Sequence, residues 1–113
     1  MIPDSPAARS AIAAVGWTTT ASREQADALA AALLEHHLVA CAQVSSPIRS
    51  HYSWQGQLHT DEEYRITLKF LDTQAPAIEA FLEQHHPYDV PQWLWVRMDG
   101  IAAPYFDWMC ESQ

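Results

Sequence analysis

Two consecutive extended runs, Val39 to Trp54 and Leu58 to Leu71, are separated only by Gln55-Gly56-Gln57, and no other feature limits the possible fold as much. The second run alternates cleanly. Tyr64, Ile66, Leu68 and Phe70 share one face, and Glu63, Arg65, Thr67 and Lys69 share the other, as in a strand with one side on a core. Pro47 cannot donate to a ladder, so an irregularity is expected in the first run. Strands of about 15 residues extend roughly 50 Å, whereas helices of about 13 to 16 residues reach only about 20 to 25 Å. The hairpin must therefore overhang its own helices. Its outer part carries Tyr52, Trp54, Leu58 and Tyr64 with nothing in the same chain to bury them. Neighbouring subunits are expected to cover the outer part of residues 48 to 64.

The flanking elements repeat one pattern on either side of the hairpin. A loose tail is expected over residues 1 to 9, then a first strand over about 10 to 18 that uses Ile12 and Val15. Thr19, Thr20 and Ser22 announce a helix, and Ser22 with Gln25 fits a capping box. Ala26, Leu29, Ala30, Leu33, Leu34 and His37 then recur at helical spacing. A second helix starts near Thr73, tolerates Pro76 in its first turn and carries Ile78, Phe81, Leu82 and His85 on one stripe, so His85 is expected to point inward or sideways. Trp93 to Met98 is a fourth strand, and Pro104 to Cys110 a short closing helix. Strand, helix, strand, strand, helix, strand is the split βαβ order of an α+β, ferredoxin-like fold: an antiparallel sheet with helices on one face, plus the short C-terminal helix. A single domain over residues 10 to 113 is expected, and the fold alone specifies no function.

Charge and composition remove several functions. The net charge is −8, from 14 acidic against 6 basic residues, which repels phosphate backbones and disfavours nucleic acid. It favours cations. No apolar stretch approaches the roughly 20 residues that span a bilayer. Pro3, Asp4, Pro6 and Arg9 break any secretory signal, so a cytoplasmic location without membrane attachment is expected. Cys41 and Cys110 have no CxxC spacing and read as two free thiols. There is no GxSxG elbow and no phosphate-cradling loop among only 3 glycines. Acylphosphatases share this fold but need a glycine-rich loop with arginine where this chain has Thr18-Thr19-Thr20-Ala21-Ser22. That segment could bind a small anion at the helix N-terminus. A non-enzymatic protein is expected.

The run His85-His86-Pro87-Tyr88-Asp89-Val90-Pro91 gathers two imidazoles, a phenol and a carboxylate where a helix must stop, because Pro87 disfavours helical backbone at His86. With Ala40-Cys41-Ala42-Gln43-Val44, the Tyr52-Ser53-Trp54-Gln55-Gly56 corner, Asp61-Glu62-Glu63 leading to Lys69, and Tyr105-Phe106-Asp107-Trp108, this run resembles the CutA divalent-cation tolerance family in order and spacing. The resemblance implies a ferredoxin-like subunit in a tight cytoplasmic homotrimer with a role in tolerance of copper and other divalent cations. Its architecture is also similar to that of trimeric regulators that bind small effectors between subunits, which leaves a small-effector or protein-interaction module as the alternative.

In some relatives a cysteine late in the first strand, a glutamate on the third strand and the first histidine of the HHPY-type run are associated with metal. Those positions are Thr18, Glu63 and His85 here, and His86 is a further candidate. Thr18 supplies no thiolate for soft Cu(I). Imidazole with carboxylate would suit weakly bound Cu(II) or Zn(II), with water completing the shell and no metal required for folding. The bland readings are a hydrogen-bonded histidine at His85, a surface pair at His36 and His37 whose rings diverge by ~100°, and tryptophans that fill core or interface.

Overall fold

The alternating run that ends at Leu71 becomes one 15-residue strand, β4 (Gln57–Leu71), and it organises the sheet. The structure, a computed structural model, describes residues 11–113, and the tail expected over residues 1 to 9 lies outside them. β1 (Ala13–Thr20), β2 (Cys41–Val44) and β3 (Ile48–Trp54) all pair with β4, and β5 (Leu94–Arg97) pairs with β1, every pair being antiparallel. The order across the sheet is β2-β4-β1-β5, with β3 continuing along β4 beyond β2. Helix α1 (Arg23–Glu35) joins β1 to β2, and a 3-10 turn at Asp72–Gln74 leads into α2 (Ala75–His85), which precedes β5. The chain closes with α3 (Ala103–Glu111). The fold is the ferredoxin-like α+β arrangement.

The first strand runs later than the sequence reading placed it. Ile12 is half exposed and its amide donates to Asp72 Oδ1 at 2.9 Å. Thr19 and Thr20, taken as a prelude to the helix, instead continue β1 opposite Arg65 and Tyr64. Branching at Cβ suits a pleated surface and explains the extension. Ser22 then caps α1, accepting from the Gln25 amide at 3.2 Å, while Gln25 Oε1 reaches back to the Ala21 amide rather than to that of Ser22.

The apolar stripe of α1 stops at Leu33, since Leu34 is exposed and His37 is not helical. His37 takes a positive φ of 56°, the Leu38 amide donates to the Leu33 carbonyl, and the His37 amide donates to that of Leu34. This is a Schellman closure with histidine in the position glycine usually fills.

The long first run splits at the expected place. Val44 pairs with Ile66 and Ile48 with Glu63, so four steps on one strand face three on the other, which is a bulge around Ser45 to Pro47. Ser45 fills part of the gap, its hydroxyl accepting from the Arg65 amide at 3.0 Å. Gln55 and Gly56, with φ of 52° and 76°, make a two-residue turn between Trp54 and Gln57.

Under α1 and α2 the core holds Ala14, Leu29, Leu33, Ile66, Leu68, Phe70, Ile78 and Leu82. Gly16 belongs to the same face because a Cβ there would lie 2.7 Å from the Trp93 ring. On the other face, α3 places Met109 against Ala13 and Ala40. The hairpin tip reaches past both layers. Residues 51 to 62 are all exposed, and the molecule measures 56 × 26 × 24 Å. Among the described residues, no helix is long and apolar enough to cross a membrane.

Candidate functional site

Pro87 decides where the two histidines of the HHPY run go. It holds His86 in extended backbone, with ψ at 139°, so the helix ends and the two neighbouring rings part. His85 stays on the outside of α2, exposed, with its ring against Phe81 at 4.3 Å between centroids. The inward or sideways placement expected for His85 is corrected here: residue 85 lies a full turn past the last buried position, Leu82.

His86 is the buried one, at 8% exposure. Its Nδ1 accepts from the Tyr88 amide at 3.0 Å, and an amide can only donate, so the ring proton is on Nε2, which donates to the Thr19 carbonyl at 2.9 Å. Burial pushes its pKa below the ordinary histidine value, outweighing the Thr19 carbonyl and the Glu63 charge, which both favour the protonated form. Both nitrogens are engaged, and no lone pair remains for a metal. His86 is therefore a latch that ties the loop after α2 to the end of β1.

The latch sets Tyr88. Its ring meets His86 edge to face at 4.9 Å, and its hydroxyl donates to Glu63 Oε2 at 2.8 Å. Burial, and then the Glu63 hydrogen bond, push the Tyr88 phenol well above its usual value, so it remains a neutral donor. A second phenol repeats the motif. Tyr52 donates to Asp61 and stacks on His59 at 5.3 Å, and the hydrogen bond to Asp61 raises its pKa. Tyr52 is paired with His59, so Asp61 is its diagonal neighbour two residues further along β4.

Between these phenols lies a cleft of about 800 Å³, bounded by the middle of the hairpin, the end of β1 and the loop after His86. Asp61, Glu62, Glu63 and Asp89 line it, with no lysine or arginine among its walls. Trp54, Tyr52 and Tyr88 supply aromatic surface.

The residues expected to share a metal are dispersed within one chain. Glu63 is on the cleft wall, but His85 is not among the lining residues. Thr18 is fully buried opposite Ile66, and its Oγ1 has no hydrogen-bond partner among the described residues. Among the described residues no three His, Cys, Asp or Glu side chains gather closely enough to hold an ion. The donors among the described residues thus do not fit a closed metal centre. The sequence reading reached Glu63 but missed Asp61 and Asp89 as cleft walls, and treated Tyr52 only as interface. The Asp61 and Glu63 positions, two apart on one strand, were the available signal.

Comparison with known proteins gives a consistent result. Residues 14–112 match the family model described as CutA1 divalent ion tolerance protein. The divalent-cation tolerance protein CutA of Pectobacterium atrosepticum is 34% identical over 77% of this chain and 79% of its own length. A chloroplastic CutA 1 protein of Oryza sativa is 28% identical over 87% of this chain, which spans about half of that relative's length, 55%. The solved structure of CutA from Synechococcus elongatus superposes with a TM-score of 0.85 at 31% identity, covering 91% of each chain. None of these names is that of an enzyme.

Proposed function

The chain belongs to the CutA1 divalent ion tolerance family, and from that premise we propose that it acts as a homotrimer in the response to divalent cations, in the cytoplasm and without catalysing a reaction. The observation that carries this reading is the cleft, where four carboxylates with no lysine or arginine create a well of negative potential. Cu(II) or Zn(II) would enter it as a weakly held ligand completed by water, because no three donors gather among the described residues. Thr18, sealed in the core, removes any thiolate preference for Cu(I). The exposed Trp54, Tyr52 and Leu58 support assembly, since such a hairpin needs more than its own two strands for stability.

Titration calorimetry with Cu(II) and Zn(II) on wild type, His85→Ala and Glu63→Gln tests the metal part. The expected result is micromolar or weaker binding that Glu63→Gln reduces. A carboxylate keeps its charge to lower pH than an imidazole keeps its free lone pair, so the pH at which binding fades separates a carboxylate site from a histidine site. Binding unchanged by Glu63→Gln would take the metal out of the cleft. A second reading, a small effector held between subunits, is favoured by the size and aromatic walls of the same cleft.

A further inference from the structure

We draw no further inference here: the strongest candidate, the groove between α2 and the edge strand β5 where Arg97 stacks on Trp95 with Glu79 and Glu83 among the walls, carries nothing because nothing in the structure shows what covers that edge.

Discussion

The two halves of β4 are one strand in two environments. From Tyr64 to Leu71 it lies under two helices, with Ile66, Leu68 and Phe70 fully or almost fully buried, whereas from Gln57 to Glu62 every residue is exposed and Leu58 keeps 91% of its surface. The inner half is paired on both edges, by β1 and β2, whereas the outer half is paired by β3 alone. Side-chain burial differs with it. The inner half is fixed by its own chain, and the outer half is the surface that the proposed assembly would cover.

Truncating a large ring in each half separates the two roles. Phe70→Ala removes a ring packed between Trp93 and Trp95 and should cost ~3 to 5 kcal/mol at every protein concentration. Trp54→Ala should cost ~3 kcal/mol only in the assembly, so its effect on denaturant midpoints should shrink on dilution. Equal, concentration-independent losses would dissolve the distinction.

Smaller changes sharpen the inner half. Gly16→Ala would drive a methyl group into the Trp93 ring and should cost ~1 to 3 kcal/mol, read as a lowered midpoint with unchanged assembly. Thr18→Val replaces an unpartnered buried hydroxyl and should raise stability by ~1 kcal/mol. A loss on Thr18→Val would mean that the hydroxyl has a partner.

The smallest effect concerns the latch between the halves. The pKa of folded His86 is depressed by burial, so the unfolded chain takes up its proton first as pH falls. Its stabilising contribution is complete above the unfolded value of about 6.5 and is lost as pH falls from there through the lower folded value. Melting temperatures of wild type and His86→Asn across that window should converge on acidification. A gap that widens on acidification would reverse the sign assigned to the burial of His86.

The sequence disclosed the inner half far better than the outer. Period-two alternation from Tyr64 to Phe70 and the Ile78 and Leu82 stripe report core faces directly, and Pro47 marked the bulge. His37 and His85 were misplaced because helical spacing continues on paper after the backbone has changed course, at a left-handed closure in one case and past the last buried turn in the other. The cleft was legible only in fragments. Glu63 and Tyr88 stood out, but the Tyr52 to Asp61 pairing depends on hairpin register, and register follows from a two-residue turn and a bulge.

The central claim, that the outer hairpin belongs to an assembly, is tested most directly by static light scattering of the wild-type protein at micromolar concentration. A mass of about three times the 12.7 kDa chain is expected, and a mass of one chain would contradict it.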